Sequence, residues 1–314
     1  MSPEPYRIDV HHHILPPDFL SALASAGITG SGGRPIPEWD IQNTLALMDR
    51  HGIATAITSI SEPGIFFGDQ TFRRDLARRC NEFSAQLIRE YPMRFGAFAI
   101  LPLLDIDAAL RELEFALDTL QLDGVVLLSS IDGRYPGDPL FDDLFTELNR
   151  RKAVVFIHPT VPAINRELKL ELPPFLIEFV FDTTRAITNL IYSGTLERCA
   201  DIRFIVAHAG GTVPFLAYRI SLGQIMLPGV PQGVMTYLKQ FYYDIALSAK
   251  SHALRSLQEL VDASHILFGS DYPFAPEAAT FFAVQEIQSF DGFDEQARRA
   301  IERESALALF PHFR

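Results

Sequence analysis

Residues 153–159, AVVFIHP, form a near-continuous apolar run that ends in a histidine and a proline. Such a run suits a strand of a parallel sheet, because helices cover a parallel sheet on both faces. Seven other runs rich in β-branched and apolar residues occur along the chain, and a longer segment with helical periodicity follows each of them. Eight βα units predict a closed (β/α)8 barrel of the TIM type; the other seven runs span residues 7–13, 55–61, 95–102, 124–130, 203–211, 241–248 and 266–273.

An open doubly wound sheet of the Rossmann or flavodoxin kind is the competing architecture. No GxGxxG follows the first run, so nothing there would cradle a pyrophosphate. We interpret residues 1–314 as a single (β/α)8 domain. The long connection at residues 14–40 is rich in glycine and proline, which favours a lid or a subunit arm over a domain boundary. Helices are predicted at roughly 41–51, 70–91, 105–121, 138–151, 174–199, 212–226, 251–262, 277–289 and 294–310.

The composition fits one large folded core and excludes several classes of partner. The chain has 314 residues, of which 48% are hydrophobic, and a formal net charge of −12 at pH 7. That charge argues against nucleic acid or an anionic membrane as a partner, because either needs a basic surface. Cys80 and Cys199 form no CxxC motif, so we expect neither a disulfide framework nor a cysteine zinc site. Since a signal peptide and an apolar run of about 18 residues are both missing, the sequence predicts a soluble, cytoplasmic protein.

The stretch IDVHHHILPP, residues 8–17, holds three consecutive histidines at the end of the first predicted strand. Side chains alternate between the two faces of a strand, so His11 and His13 should share one face and His12 the opposite face. A solvated turn, a chance cluster or a leftover affinity tag would also account for the run, although a tag usually carries about six histidines in a flexible setting. Two histidines on one face have the geometry of a pair of metal ligands.

Polar residues also stand at the carboxyl ends of three other predicted strands, where (β/α)8 barrels place their active sites. Strand five ends in His158, strand six in His208 and strand eight in Asp271. Each alone could be a buried histidine bonded to a carbonyl, or an aspartate that caps a helix, but four strand ends that converge on one mouth favour a site. Three imidazoles and a carboxylate suit Zn²⁺, Mn²⁺ or Fe²⁺ with one open position, and zinc is the default expectation.

The motifs IDVHHHILPP, FIHP, FIVAHAGGTVPF and ILFGSDYPF resemble those of the amidohydrolase superfamily, over residues 7 to about 275. Within it, the chain resembles the branch of aminocarboxymuconate semialdehyde decarboxylase, which includes the 6-methylsalicylate and γ-resorcylate decarboxylases. The fourth predicted strand, VVLLSS, has no lysine at its end, so the resemblance implies one metal ion rather than two. It also implies that His208 is a catalytic acid or base and that the metal ligands are His11, His13, His158 and Asp271.

Arg219 lies eleven residues after His208. The decarboxylases that the chain resembles carry an arginine at this spacing, which reaches a substrate carboxylate across a dimer interface. The resemblance therefore implies a homodimer or a dimer of dimers in which Arg219 binds the substrate of the neighbouring subunit. An exposed helix arginine paired with a nearby acid is the alternative. A second arginine on the same face is not apparent after Arg219, which makes a dicarboxylate substrate less favoured.

Two reactions can use this ligand set. In the first, the enzyme decarboxylates a small aromatic or muconate-type acid, such as 6-methylsalicylate or a hydroxybenzoate, and Asp271 or His208 protonates the carbon that bears the carboxylate. In the second, His208 acts as a base for water that opens a lactone or an amide. A metal-binding protein without turnover is a third interpretation. The resemblance favours decarboxylation, and the aromatic residues expected to line the pocket are Trp39, Phe66, Phe67 and Phe274.

Overall fold

The computed structural model of the chain describes residues 6–227 and 229–314. Eight parallel strands pair in chain order within one sheet. The predicted (β/α)8 barrel is therefore confirmed. The strands are β1 Arg7–His13, β2 Ile53–Ser59, β3 Phe95–Ile100, β4 Gly124–Leu128, β5 Val154–His158, β6 Arg203–Val206, β7 Tyr242–Asp244 and β8 Ile266–Leu267.

The barrel closes through hydrogen bonds between β1 and the segment that begins with β8. The N–H of Val10 donates to the carbonyl of Phe268 (3.0 Å), and the N–H of His13 donates to the carbonyl of Tyr272 (2.7 Å). In the opposite direction, the N–H of Asp271 donates to the carbonyl of His11 (2.8 Å). This seam holds Asp271 directly beside the histidines of β1.

Helices connect the strands and bury their apolar faces. In the longest, Gln70–Glu90 (α3), the side chain of Asp69 accepts the N–H of Phe72 (2.8 Å) and so caps the first turn. No helix among residues 6–227 and 229–314 combines the length and apolarity that a membrane span requires. The α-helices are α1 Pro17–Ser25, α2 Ile41–Arg50, α3 Gln70–Glu90, α4 Ile106–Glu114, α5 Asp142–Arg150, α6 Glu178–Tyr192, α7 Thr195–Arg198, α8 Val213–Ser221, α9 Val234–Leu238, α10 Ser251–Gln258, α11 Glu277–Ser289, α12 Glu295–Arg299 and α13 Ser305–Leu309.

Several predicted elements are shorter in the structure than the sequence suggests, and three of them show why. The sixth strand ends at Val206 instead of residue 211, because His208 has a φ of 55° and cannot continue an extended strand. The eighth ends at Leu267 instead of residue 273, and the chain turns at Asp271, whose φ is 61°. The helix predicted over 174–199 is divided in two at Gly194, which adopts a left-handed conformation with a φ of 73°.

The connection at residues 14–40 contains regular structure that the sequence pattern did not predict. Helix α1 begins at Pro17, a residue favoured at the first helical position, and it buries Phe19, Ala22 and Leu23 with helical spacing. A short antiparallel hairpin follows, in which Gly30–Ser31 pairs with Arg34–Pro35. We call it the 30–35 hairpin. It reaches the mouth of the barrel, where it forms part of a cavity wall described below.

The C-terminal segment, residues 302–313, packs across the amino-terminal ends of the strands, and we call this end the barrel floor. Asp123, just before β4, accepts the N–H of Ala97 (2.7 Å) and contacts Nε2 of His312 (2.9 Å). Arg7, at the start of β1, forms an ion pair with Glu302 (2.7 Å). Asp123 and Glu302 of the floor are thus each paired with hydrogen-bond donors.

Candidate active site

Four residues from the ends of β1, β5 and β8 meet at the mouth of the barrel. They are buried, and one ligand atom from each lies within 4.8 Å of the others. The two Nε2 atoms of His11 and His13 are 3.1 Å apart, and they lie 3.3 and 3.2 Å from Oδ1 of Asp271. Two atoms bound to one Zn²⁺ at about 2.1 Å are separated by about 3.0 to 3.5 Å. These separations, with His158 as the fourth member, fit the donor set of a divalent cation.

The imidazole rings are oriented by hydrogen bonds at Nδ1. Nδ1 of His158 lies 2.7 Å from the carbonyl of Pro159, and Nδ1 of His11 lies 2.9 Å from Oδ2 of Asp244. A carbonyl or carboxylate oxygen only accepts, so Nδ1 donates in both cases and a neutral ring keeps its lone pair at Nε2. Nδ1 of His13 contacts Ser59 at the carbonyl (3.3 Å) and the hydroxyl (3.0 Å). All three rings therefore direct Nε2 towards Asp271.

Asp244, at the end of β7, holds two parts of the site at once. Its Oδ2 accepts from Nδ1 of His11, and its Oδ1 accepts the N–H groups of His208 (3.1 Å) and Ala246 (2.9 Å). The carboxylate is fully buried. The sequence did not single out this residue, because it lies in the middle of the predicted run 241–248, whereas the strand ends at it. A ligating histidine whose other nitrogen donates to a carboxylate is a common arrangement at metal centres.

His12 lies on the face of β1 opposite to His11 and His13. Nδ1 of His12 is 2.9 Å from Oδ2 of Asp9, and its ring packs on Tyr272 with centroids 5.4 Å apart. β1 contains one extra residue relative to β2 between Asp9 and His12, which is a β-bulge. The bulge places Asp9 on the same side as His12, where its Oδ2 also accepts the hydroxyl of Ser270 (2.6 Å). Only alternate histidines of the run therefore face the mouth.

The protonation of the cluster follows from burial and from the nearby carboxylates. Burial would lower the pKa of His11, but Asp244 and Asp271 raise it to about 10. Burial lowers the pKa of His13, and burial together with the other histidines lowers that of His158 well below its ordinary value. Burial would raise the pKa of Asp271, yet its hydrogen bonds with His11 and His13 keep it well below the usual range. A bound cation would take the place of the proton on His11.

His208 stands beside the four-residue cluster. Its ring centroid lies 4.8 Å from that of His11 and 6.4 Å from that of His158. Nδ1 of His208 contacts the carbonyl of Ala246 (2.9 Å), which leaves Nε2 available on the other side of the ring. Its left-handed backbone costs about 1–2 kcal/mol, and the bond from its N–H to Asp244 helps to hold it. The sequence prediction that His208 joins the other strand-end residues at one mouth agrees with this placement.

A cavity of about 470 Å³ opens directly above the cluster. Its wall is largely apolar, and it includes His158, His208 and Asp271 of the site. A concave, mainly apolar site with a few converging polar groups is typical of a small-molecule pocket. The other lining residues come from the connection at residues 14–40, from the start of α6 and from the loops after β2, β5, β7 and β8: Ser31, Arg34, Pro35, Pro37, Ser61, Phe175, Leu176, Phe179, Val180, Leu247, Ser248, Pro273, Phe274 and Pro276.

Arg34 is the one arginine or lysine among the described residues of the cavity wall. Its guanidinium carbon lies 5.1 Å from the ring centroid of Phe175. Sequence pattern alone did not identify it, because the residue lies in a glycine- and proline-rich connection whose path could not be predicted. A guanidinium in an otherwise apolar wall can bind a carboxylate through two parallel hydrogen bonds.

The structure brings one of the predicted aromatic residues to the cavity. Phe274 lines it, with its ring 5.4 Å from that of His13. Trp39 instead packs on Phe83 of α3, with ring centroids 5.9 Å apart, and Phe67 packs on Phe72 at 5.6 Å. Those two rings, like Phe66, are absent from the described cavity wall, since their loops turn towards helix α3 or the core. In their place the wall contains Phe175 and Phe179, which the sequence did not point to.

Arg219 lies on α8, outside the cavity of its own chain. It is exposed, and it has no ion-pair partner within the described residues. Large apolar side chains around it are exposed as well, including Phe215 (84%), Tyr218 (76%) and Ile225 (80%). An exposed apolar patch of this kind is typical of a protein interface.

Comparison with known proteins yields consistent matches over nearly the whole chain. The family model described as amidohydrolase matches residues 8–312. The decarboxylase yanB of Aspergillus niger is 39% identical, with 98% of this chain and 88% of that protein covered. The 6-methylsalicylic acid decarboxylase of Penicillium expansum is 35% identical, with 98% and 97% covered. A solved structure described as amidohydrolase II superimposes with a TM-score of 0.92 at 30% identity, covering 97% of this chain and 99% of the other.

Proposed function

This chain belongs to the amidohydrolase family, and we propose that it is a metal-dependent, non-oxidative decarboxylase of a small aromatic or muconate-type carboxylic acid. Acids like 6-methylsalicylate and the hydroxybenzoates are the first substrates to test. The observation that carries the proposal is the convergence, at one mouth, of four ligand residues, His208 and a cavity with an arginine in its wall. The names of relatives at 35–39% identity support the reaction type.

One divalent ion would be held by the four clustered residues, with Zn²⁺ as the first candidate and Mn²⁺ or Fe²⁺ as alternatives. Bound there, the ion would act as a Lewis acid towards the carboxylate and the ortho oxygen of the substrate. The end of β4 supports a single ion, because the hydroxyls of Ser129 and Ser130 are both committed to buried Asp182, at 2.5 and 2.8 Å. The ligands are His11, His13, His158 and Asp271.

His208 is the residue to which we assign proton transfer. Because the carbonyl of Ala246 holds its Nδ1, Nε2 is the atom that carries the proton to the substrate. The proton is placed on the ring carbon that bears the carboxylate; the bond to the carboxylate carbon then breaks, its electron pair restores the ring, and CO₂ leaves. A proton thus replaces the carboxyl group. Asp271 is the second candidate, although its Oδ1 is engaged with the β1 histidines.

The wall of the cavity holds and orients the acid. Phe274, Phe175 and Phe179 offer flat apolar surfaces to an aromatic ring, and Arg34 offers a carboxylate-binding group within the same chain. The segment at residues 14–40 serves as a lid in this proposal, since its hairpin forms one side of the wall. Water is thereby kept from the ring during protonation.

The proposal includes a homodimer or a dimer of dimers, with Arg219 reaching the substrate of a neighbouring subunit. The exposed apolar residues around Arg219 support an interface on α8. Mixing His208→Ala and Arg219→Ala proteins under subunit exchange should then restore part of the activity, because some mixed sites carry both native residues. An Arg219→Ala enzyme with unchanged kinetics would remove this role.

Free, buried Cys80 and Cys199 fit the cytoplasmic setting that we propose.

The deciding experiment measures CO₂ release. Metal-loaded protein is incubated with 6-methylsalicylate, a series of hydroxybenzoates and a muconate semialdehyde, and lactones and amides of similar size are assayed in parallel for hydrolysis. We expect CO₂ and the decarboxylated product in equal amounts from at least one acid, loss of the activity after chelation, and its return with metal. Hydrolysis of a lactone or an amide without CO₂ release from any acid would replace this proposal with the hydrolase alternative.

A further inference from the structure

Glu62 is a buried carboxylate at the edge of the cavity, and the reaction described above does not use it. It follows Ser61, whose side chain lines the cavity, and only 7% of Glu62 is exposed. Its Oε2 accepts the N–H of Gly32 (2.9 Å) and the hydroxyl of Ser31. Within the described residues it has no arginine, lysine or histidine partner, so both contacts come from the 30–35 hairpin.

The hairpin itself forms the side of the cavity next to Phe175 and Phe179. Its turn is made by Gly32 and Gly33, with φ angles of 57° and 84°. The carbonyl of Gly32 accepts the N–H of Phe175 (3.1 Å), and a Cβ on Gly32 would lie only 2.8 Å from Cζ of Phe179. The tip of the hairpin is therefore fitted against the loop after β5 on one side and bonded to Glu62 on the other.

Arg34 depends on this anchoring. It is exposed and pairs with no carboxylate within the part of the chain that the structure describes, so no salt bridge fixes its side chain. Its backbone is set by pairing with Ser31, the residue whose hydroxyl donates to Glu62. Any movement of the hairpin away from Glu62 would move the guanidinium relative to the metal ligands.

We propose that Glu62 is a positioning residue that holds the 30–35 hairpin against the barrel and thereby sets the position of Arg34 over the cavity. A carboxylate suits this task because it accepts two hydrogen bonds at once, and bonds to a charged acceptor are roughly twice as strong as neutral ones. The inference rests on the proposed function only where it assigns the substrate carboxylate to Arg34. The anchoring itself is independent of any reaction.

Hydrogen exchange of the hairpin amides tests the anchoring without any substrate. The proteins are wild type, Glu62→Ala, Glu62→Gln and the control Glu38→Gln, which changes an exposed acid of the same connection. We expect exchange in residues 30–36 to rise by roughly 10- to 100-fold in Glu62→Ala, as for loss of a hydrogen bond to a charged group, and less in Glu62→Gln, which keeps one acceptor. The control should match wild type. Unchanged exchange in folded Glu62→Ala overturns the proposal.

Steady-state kinetics test the link to Arg34. With an acid that the wild type decarboxylates, Glu62→Ala and Arg34→Ala should each raise KM by roughly 10-fold or more with a smaller change in kcat, and the double variant should be no worse than Arg34→Ala alone. Additive effects would show that Glu62 does not act through Arg34. If Glu62→Ala does not fold, Ser31→Ala removes one of the two contacts from the hairpin side, and a smaller rise in exchange and in KM is then expected. A wild type without decarboxylase activity defeats the proposed function, while the exchange experiment still decides on the anchoring.

Discussion

At the carboxyl end of the barrel, three buried imidazoles surround one carboxylate, and two of them bring their Nε2 atoms together. At the barrel floor, the carboxylates of Asp123 and Glu302 face N–H donors. Nε2 of His11 and Nε2 of His13 are 3.1 Å apart at the mouth. At the floor, Asp123 receives an N–H from Ala97 at 2.7 Å and contacts His312 at 2.9 Å. Both ends bury polar groups, but at the mouth the Nε2 atoms of His11 and His13 share one acceptor, Oδ1 of Asp271, whereas at the floor Asp123 and Glu302 each have donors of their own.

This contrast separates buried polar groups that serve the fold from those that serve a ligand. A buried polar group that lacks a complementary partner costs free energy, and such groups collect at functional sites. The positive φ angles of His208 and Asp271 belong to the same end of the barrel. Substitutions at the mouth should therefore change activity or metal binding, whereas substitutions at the floor should change stability alone.

The largest effect is expected at His208. His208→Ala should lower turnover by roughly 10²–10⁴-fold, the usual range for loss of a positioned proton donor, while metal content stays near that of wild type. Turnover of the substrate found in the CO₂ assay and metal analysis on the same sample check both parts. If the variant loses its metal in proportion to its activity, His208 is a metal ligand, and the assignment of proton transfer to it is wrong.

A smaller effect is expected at Asp244, which orients His11. Asp244→Asn should weaken metal binding by roughly 10- to 100-fold, as is usual when the carboxylate partner of a ligating histidine is lost. An amide has one acceptor oxygen, whereas Asp244 accepts three N–H groups. Competition with a chromogenic chelator measures the change. Equal affinity in the variant and wild type would mean that the packing around His11 is enough to orient it.

At the floor, Asp123→Ala is the matched contrast to Asp244→Asn. It leaves the N–H of Ala97 without its acceptor, so the free energy of unfolding should fall by roughly 1–3 kcal/mol. Metal affinity and turnover should not change, because the residue lies at the other end of the barrel. Urea unfolding measures the free energy of unfolding, and the chelator assay on the same preparation measures the metal affinity. A loss of metal affinity would show that the two ends are coupled.

The smallest effect is expected from the pH dependence of the contact between His312 and Asp123. The hydrogen bond with Asp123 raises the pKa of His312, so the folded state favours the protonated imidazole. This contribution is complete below the pKa of the unfolded histidine, about 6.5, and is lost as the pH rises through the folded value. Because the side chain is more than half exposed, solvent should limit it to less than about 1 kcal/mol. The free energies of unfolding of wild type and His312→Ala, measured between pH 5 and 9, should therefore differ by this amount at pH 5. The difference should shrink as the pH rises through the folded pKa of His312.

The strands and most of the site could be predicted because both depend on local sequence. An apolar run such as 153–157 needs helices on both faces, and a histidine directly after it must lie at the carboxyl end of the strand. Alternation along β1 then separates His12 from His11 and His13. The bulge between Asp9 and His12 does not disturb this separation, because the rings of His11 and His13 still meet at Asp271 while that of His12 packs on Tyr272.

The remaining features depend on contacts between distant segments, which single-sequence patterns do not encode. Arg34 reaches the cavity wall on the 30–35 hairpin, which contacts Glu62 and Phe175 from distant parts of the chain. Trp39 and Phe67 are aromatic residues on loops, as pocket residues often are, but their loops direct them towards α3. Asp244 was not predicted as a site residue, because the apolar residues after it extend the predicted run to residue 248, beyond the true end of β7.

The most direct test of the central claim, that the mouth holds one metal ion through alternate histidines of the β1 run, is metal content in two matched variants. His11→Asn and His12→Asn each keep a donor near the Nδ1 position and remove Nε2. After loading with Zn²⁺ and removal of excess metal, we expect about one ion per chain in wild type and in His12→Asn, and nearly none in His11→Asn. Loss of metal from His12→Asn with full occupancy in His11→Asn would contradict the claim.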